Sequence, residues 1–463
     1  MSLLYRLKQI IIVSGDMACY ILAFFISLTV RNWQIPSWST IEIQSNLFLS
    51  IFVIWLVINY INGLYDLDRI TDKKNLYYQT IITAGISLFI GISFFYLIPS
   101  RNITPKTILI LNIIFGYLLC TGWRILAAKL INIKKFNINV IMVGDNPEAR
   151  ELINIIQNSP GKGYRIMAII DPNNDIKSTD YPDLEIYHGF NTIRPAITTK
   201  KANLVVIAPH LAQNPTAMRE LYELLFWDVE IMDLPSFYEL ITGRVTPAVF
   251  SEGWFLEHLK QNKRPIYQKI KSIIDYFAGI IMAVIFISLL LFIALAIKIS
   301  SKGPIFFKQK RVGKGGKIFN IYKFRSMFAL SPDGSAETKG YEFAQKKDVR
   351  ITLVGKFLRK TRLDELPQFI NLLKGDLALI GPRPERPEIV DKLKEQMSYY
   401  PLRHTVKPGI TGWAVIHQNY TSDLESSLQK LQYDLYYIKN RSILLDLSIV
   451  LRTINVVMRM AGQ

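Results

Sequence analysis

Residues 276–297 read YFAGIIMAVIFISLLLFIALAI, 22 positions without a charge. A membrane-spanning helix needs about 20 mostly apolar residues, so this stretch is long enough to cross a bilayer. Its flanks argue against a crossing. Lys263, Arg264, Lys269 and Lys271 precede it, and Lys298, Lys302, Lys308, Lys310 and Arg311 follow it. Between Gln261 and Leu330 there are 13 Lys or Arg and one acid, Asp275. Lys and Arg favour the cytoplasmic side of a membrane, and a crossing would leave one basic flank outside. Positive charge at both ends suits an element that dips into one leaflet beside anionic headgroups. A straight span is the alternative.

The chain has 463 residues, 50% hydrophobic and 20% charged, with a formal net charge of +18. That length predicts about three domains. Charged residues fall short of the roughly 25% usual in soluble chains, which places part of the sequence in lipid. The apolar content, with only 25 Gly and 21 Pro, excludes a disordered or collagen-like chain. Cys19 and Cys120 are too few for a disulfide framework or a Cys-rich metal site. The basic excess points to nucleic acid, anionic lipid or a phosphorylated substrate. No zinc-finger spacing or RNA-recognition signature is present, and no nucleic-acid partner is expected.

Residues 1–130 hold four further apolar segments, at 10–30, 45–61, within 75–100, and 107–123. They predict a four-helix transmembrane bundle. The first is too long for a cleavable signal and lacks a cleavage site after it. Arg6 and Lys8, then Arg69, Lys73 and Lys74, then Arg124, Lys129, Lys134 and Lys135 outweigh Arg31, Arg101 and Lys106 in the other loops. Both ends of the region are therefore expected on the cytoplasmic side. Asp16, the one charge within the first segment, is either functional or a structural group facing another helix.

Residues 137–240 change pattern. Residues 139–143 read as a buried strand ending in a turn at Gly144, a helix opens at Pro147, and strands follow at 166–170 and 204–208. Such βαβ alternation predicts a parallel, doubly wound, Rossmann-like α/β module. The dinucleotide fingerprint fails, because Asn146 and Ala149 occupy its second and third glycine positions. A structural or regulatory module is expected rather than an NAD site.

Residues 261–463 carry the chemistry. Gly313-Lys314-Gly315-Gly316-Lys317 lacks the spacing of a phosphate-binding loop and reads as a hairpin turn between strands. In Leu358-Arg359-Lys360-Thr361-Arg362-Leu363-Asp364-Glu365-Leu366-Pro367-Gln368 a carboxylate pair follows a cluster of cations, and Arg383 lies 19 residues after Asp364. Phosphoryl transfer needs cations on the non-bridging oxygens, usually with Mg²⁺, and an oxygen nucleophile, which a carboxylate can be. An Asp-Glu pair on a solvated helix face is the plainer account. Residues 443–460 read as an amphipathic helix, against the core or on the membrane surface.

From about Lys269 onward the sequence resembles the monotopic phosphoglycosyl transferases, the bacterial sugar transferases. The motifs are Lys302-Gly303-Pro304-Ile305-Phe306-Phe307-Lys308-Gln309, Tyr322-Lys323-Phe324-Arg325-Ser326-Met327, the run from Leu358 to Gln368, Gly381-Pro382-Arg383-Pro384, Arg403-His404, 406–413, and Asp434-Leu435-Tyr436-Tyr437. With the preceding bundle and module, the whole chain is similar to the large form of that family. The resemblance implies an α+β monotopic catalytic domain with a re-entrant helix near 276–297. It implies transfer of sugar 1-phosphate from a UDP-sugar to undecaprenyl phosphate, with release of UMP, at the start of exopolysaccharide or O-antigen synthesis. It further implies a location in the bacterial inner membrane, with the catalytic domain cytoplasmic and a homodimer as the assembly. Asp364 would be the nucleophile and, with Glu365, would hold Mg²⁺. Arg359 and Arg383 would bind phosphate, while Lys323 and Arg403 would contact substrate or lipid headgroups. His404 is expected to be a structural, hydrogen-bonded histidine or to assist proton movement. Two positions depart from the family pattern: Leu289 follows Ser288 where a Ser-Pro pair is usual, and Val415 replaces a glutamine. The rival readings are a membrane-anchored nucleotide-sugar dehydratase or epimerase, and a non-catalytic membrane scaffold.

Overall fold

The computed structural model describes residues 3–67, 73–97, 106–131, 137–174, 176, 181–211, 214–260, 264–331, 348–418 and 423–458. Arg69, Arg101, Lys134, Lys135 and Lys263, named above for their charge, lie outside these residues. The chain forms two compact units, Met1–Gly243 and Arg244–Gln463. Among the described residues, five helices, four in the first unit and one in the second, are long and apolar enough to cross a membrane.

The four N-terminal segments are α1 (Leu3–Asn32), α2 (Trp38–Ile61), α3 (Lys73–Leu97) and α4 (Lys106–Ile131). Tyr20, Phe24, Phe48, Phe52, Trp55 and Tyr117 form an aromatic core among them. Within it Asp16 on α1 pairs with Arg124 on α4, both fully buried. Asn59 on α2 donates to the Tyr20 hydroxyl at 2.9 Å and accepts from the Tyr117 hydroxyl at 3.0 Å. Asp16 is thus the structural charge facing another helix. Arg124 requires a correction. It was read as a flanking cation after segment four, but α4 continues to Ile131 and carries it inside the bundle. A window of apolar residues ends at the first charge, whereas an ion pair lets the helix run past it.

The module is a parallel sheet of β1 (Ile138–Val143), β2 (Tyr164–Asp171), β3 (Glu185–His188), β4 (Leu204–Ile207) and β5 (Glu230–Asp233) in the order β3-β2-β1-β4-β5. The order reverses between β1 and β4, where doubly wound folds take their ligands. Just after β1, Gly144 is closely packed. Gly144 has φ +87°, and a Cβ on it would stand 2.6 Å from Leu211 Cδ1 and 3.0 Å from Ala208 Cβ. Asn146 caps α5 (Pro147–Asn158) by accepting the Ala149 N–H at 2.7 Å, where a pyrophosphate would otherwise sit.

The second unit begins earlier than residue 261. Val245, Phe255 and their neighbours pack with Tyr400, Trp413, Leu435 and Tyr437 in its core. No sequence motif marks residues 244–260, which join the unit through apolar packing. Next comes α10 (Pro265–Ser300; α6 to α9 are Ile193–Lys200, Pro215–Glu223, Leu234–Thr242 and Glu252–Lys260), followed by the hairpin β6 (Phe306–Val312) and β7 (Ile318–Phe324). The hairpin turns at 313–317, as the glycines predict. Helix α11 (Leu353–Lys360), a 3-10 turn (Leu363–Gln368) and α12 (Phe369–Lys374) lead to β8 (Ala378–Ile380). After α13 (Pro387–Gln396), β9 (Gly409–Thr411) pairs in parallel with β8. Helices α14 (Trp413–His417), α15 (Leu424–Asn440) and α16 (Ile443–Met458) complete the unit. In α16, Asp446 and Ile449 face the core while Leu444 and Leu447 are exposed.

Helix α10 is helical at every position from Pro265 to Ser300. In place of a proline break, the Ser288 hydroxyl donates to the Val284 carbonyl at 2.8 Å. Asp275, Gly279, Phe286, Ile293 and Ile297 are buried, while Phe277, Ile281, Val284, Leu291 and Phe292 stand exposed.

The buried pair in the bundle makes a prediction. Removing one partner leaves a charge without compensation, at a cost of about 3–5 kcal/mol. Arg124→Gln should therefore lower the thermal unfolding midpoint in detergent sharply, and adding Asp16→Asn should recover more than half of the loss. An additive double mutant would contradict the pairing.

Candidate active site

The carboxylate pair lies on the 3-10 turn Leu363–Gln368, which Arg362 enters in the left-handed conformation at φ 58°. That conformation is costly for a bulky L-residue and persists only where surrounding contacts enforce it. It turns the chain off α11 so that Asp364 and Glu365 are both buried. Glu365 Oε1 accepts from Arg383 Nη2 at 2.8 Å, Lys323 Nζ at 3.4 Å and Arg362 Nη1 at 3.5 Å. Three segments distant in sequence thus meet on one oxygen. Arg359, on the last turn of α11, donates to the Ser326 hydroxyl at 2.8 Å and lowers the Asp364 pKa through its charge.

The two carboxylates are driven in opposite directions. Burial, then the neighbouring Glu365 charge, pushes Asp364 up to about 6, against the pull of Lys323, Arg359 and Arg362. Burial also disfavours ionisation of Glu365, but Arg383, Lys323 and Arg362 outweigh it and hold the group well below the usual carboxylate range. Burial lowers the Lys323 pKa, with Glu365 opposing. Among the described residues, Asp364 Oδ1 is buried without a hydrogen-bond partner. An ionised, unpaired carboxylate oxygen beside cations is chemically able to act as a nucleophile. Lys323 and Arg383, which bond Glu365, also line a small pocket with Arg311, Gln368, Pro384, Ile321 and Gly409. Three cations around one pocket suit an anionic group with several oxygens.

Arg403 does not act as expected. It is 2% exposed, and its guanidinium is committed to Asp434 at 2.7 Å, to the Tyr400 hydroxyl and to the Arg383 carbonyl at 2.9 Å. It supports Arg383 from behind, and its expected substrate contact is corrected to that role. His404 packs edge-on to the Tyr400 ring at 6.4 Å, and burial together with Arg403 lowers its pKa to about 4, so the ring is neutral at neutral pH. Val415, the departure noted in sequence, lies in α14.

Sequence reading left Arg311, Arg362 and Gln368 without roles at the site, and Glu385 and Asp434 without roles behind it. Arg362 stood in the quoted cation run, but nothing local distinguishes its left-handed backbone. Arg311 was counted as a flank of the apolar segment. It lines the pocket because β6 returns against the 383–385 loop, where Val312 N donates to the Glu385 carbonyl at 2.9 Å.

No cluster of three or more His, Cys, Asp or Glu that could hold a metal occurs among the described residues. The carboxylate pair is the remaining candidate. Mg²⁺ in phosphate chemistry is commonly held by one or two carboxylates together with substrate oxygens. The bare Asp364 Oδ1 fits that pattern. Glu365 Oε1, already shared by three cations, fits it less well.

The chain is similar to known proteins in both units. A family model described as "Bacterial sugar transferase" matches residues 266–460, and one described as "CoA-binding domain" matches residues 60–221. A UDP-N-acetylgalactosamine-undecaprenyl-phosphate N-acetylgalactosaminephosphotransferase of Aeromonas hydrophila is 43% identical over 236 residues, 50% of this chain and 52% of that protein. The match therefore spans about half of that relative's length. A UDP-glucose:undecaprenyl-phosphate glucose-1-phosphate transferase of Klebsiella pneumoniae is 30% identical over 385 residues, 80% of this chain and 79% of that protein. An undecaprenyl-phosphate galactose phosphotransferase of Salmonella typhimurium is 29% identical over 367 residues, 75% of this chain and 74% of that protein.

The loop that carries Arg383 is held partly by Glu385, whose ionisation burial disfavours but which Lys430, Arg403 and Arg311 pull down to about 2. A depressed folded pKa contributes stability above the unfolded value, 4.5, and loses it as pH falls toward 2. Thermal unfolding followed from pH 5 to pH 2 should show a stability loss of about 3 kcal/mol that Glu385→Gln no longer shows. Identical acid limbs in the two proteins would refute this.

Proposed function

The chain belongs to the bacterial sugar transferase family, and on that basis we propose that it transfers sugar 1-phosphate from a UDP-sugar to undecaprenyl phosphate, releasing UMP. The observation that carries the reading is the bare Asp364 Oδ1 beside a Glu365 already neutralised by Arg383, Lys323 and Arg362. In the first step Asp364 Oδ1 attacks the β-phosphorus of the UDP-sugar. The new O–P bond forms as the bond from that phosphorus to the bridging oxygen breaks, and UMP leaves with the electron pair. In the second step an oxygen of undecaprenyl phosphate attacks the aspartyl-linked phosphorus. Carboxylate leaves, regenerating Asp364 and giving a lipid diphosphosugar.

Arg383, Lys323 and Arg311 line the pocket that would take the diphosphate, and Arg359 would neutralise charge on the transferring phosphoryl group. Mg²⁺, when bound, would neutralise phosphate charge, with Asp364 as its better candidate ligand and Glu365 as the weaker. The acceptor's phosphate lies at a membrane surface. We accordingly read α10 as re-entrant from the cytoplasmic side of the inner membrane, its apolar face in lipid and its basic flanks at the headgroups.

In isolated membranes supplied with undecaprenyl phosphate, UMP release should be seen with at least one of UDP-glucose, UDP-galactose and their N-acetylated counterparts, and chelation of divalent cations should stop it. Asp364→Asn should lower release by at least about 10³-fold while leaving the thermal unfolding midpoint in place. After acid quench, sugar-labelled donor should leave label on the wild-type chain and none on the variant. Full turnover by Asp364→Asn would eliminate the nucleophile.

A further inference from the structure

One acid interrupts the basic run around α10, and the proposed reaction leaves it unused. Asp275 is buried, and its Oδ1 accepts the Leu379 backbone N–H at 2.8 Å. Leu379 is the middle residue of β8, whose neighbours Ala378 and Ile380 are in register with β9. Backbone groups alternate sides along a strand, so the Leu379 N–H points away from β9 and has no strand to meet there. Asp275 supplies the acceptor. It thereby grips the strand from which Gly381-Pro382-Arg383 emerges.

The same face of α10 holds the other half of the site. One turn after Asp275, Gly279 admits α12: a Cβ there would stand 2.9 Å from Leu373 Cδ2 and 3.3 Å from Leu372 Cβ. Two turns further, the Phe286 and Phe369 rings lie 5.0 Å apart, and Phe286 clusters with Leu366. Helix α12 continues directly from the turn that carries Asp364 and Glu365. Positions 275, 279 and 286 thus fix the Arg383 strand and the carboxylate turn on one rigid rod.

We infer that Asp275 is a positioning residue, setting β8 against the lipid-facing helix so that Arg383 meets Glu365 at hydrogen-bonding distance. This rests on the reading of Asp364, Glu365 and Arg383 as the transfer site. A carboxylate buried at the edge of a long apolar stretch is costly and is kept where it serves a purpose.

The test uses the full chain in lipid nanodiscs, with Asp275→Ala, Asp275→Asn and Asp275→Glu. Amide hydrogen exchange across residues 377–384 should quicken about tenfold or more in Asp275→Ala, the loss of one hydrogen bond to a charged acceptor. It should stay near wild type in Asp275→Asn, whose side-chain oxygen still accepts. Donor kcat/KM should follow the same order, and Asp275→Ala should add little loss in an Arg383→Ala background, because both act through one arm. Unchanged exchange in Asp275→Ala, or a fully additive loss with Arg383→Ala, would overturn the inference. If Asp275→Ala does not fold, Asp275→Glu decides: its extra methylene should displace β8, and wild-type exchange and turnover in it would refute the grip. A wild-type chain inactive on every UDP-sugar would instead sink the proposed reaction, and the exchange comparison would still decide the role of Asp275.

Discussion

The convergence of Arg383, Lys323 and Arg362 on Glu365 Oε1 is the interaction around which the second unit is organised. These cations come from a loop, a strand and a strained turn, so the fold must bring all three to one oxygen before any chemistry is available. Their convergence separates two adjacent carboxylates into different roles. Glu365 stays ionised and saturated, while Asp364, equally buried, keeps a free oxygen and a pKa near 6. Neighbouring titratable groups whose environments push them apart are a mark of functional sites. A solvated Asp-Glu pair on a helix face would show neither the burial nor the divergence.

A second set of charges stands behind the first and does different work. Arg403 and Asp434 are buried against each other, and Lys430 with Arg311 neutralises Glu385. Buried ion pairs contribute little net stability compared with apolar packing, because desolvation offsets their attraction. Their directional bonds fix geometry, and here those bonds end on the backbone around Arg383. Arg403 donates to its carbonyl and Arg311 to the next carbonyl, that of Pro384, at 3.1 Å. Arg311 thus both lines the pocket and braces the Arg383 loop, while Arg403 and Lys430 brace it without lining the pocket.

Much of this was legible from sequence because it depends on local pattern. The four N-terminal helices and α10 follow from apolar runs, and the parallel sheet from βαβ alternation. What escaped depends on contacts between distant residues. Arg124 reads as a flank until Asp16, on another helix, is seen to neutralise it. Arg403 sits in a family motif, and nothing in its local sequence marks Asp434 as its partner. Residues 244–260 join the second unit through apolar packing alone. The assignment of Asp364, Glu365, Arg359 and Arg383 came from family motifs, and the structure adds the physical reason for their grouping.

The proline-free α10 bears on how the unit meets a bilayer. At 1.5 Å per residue, the buried positions from Asp275 to Ile297 extend over roughly 33 Å, about the thickness of the hydrocarbon core. All along that length α10 packs against elements of its own unit, from β8 at Asp275 to the hairpin and α11 cluster at Ile297. If α10 crossed the membrane upright, those elements would be drawn into lipid, with Lys323, Glu365 and Arg383 among them. Each charge at the bilayer centre costs several kcal/mol, and unpaired backbone groups in the loops between them would add to it. The helix avoids this only if its packed face stays on the aqueous side and its exposed Phe277, Val284 and Leu291 face lipid. A proline kink is one way to return both flanks to the same side, and shallow seating of a rod that remains packed along its length achieves the same end.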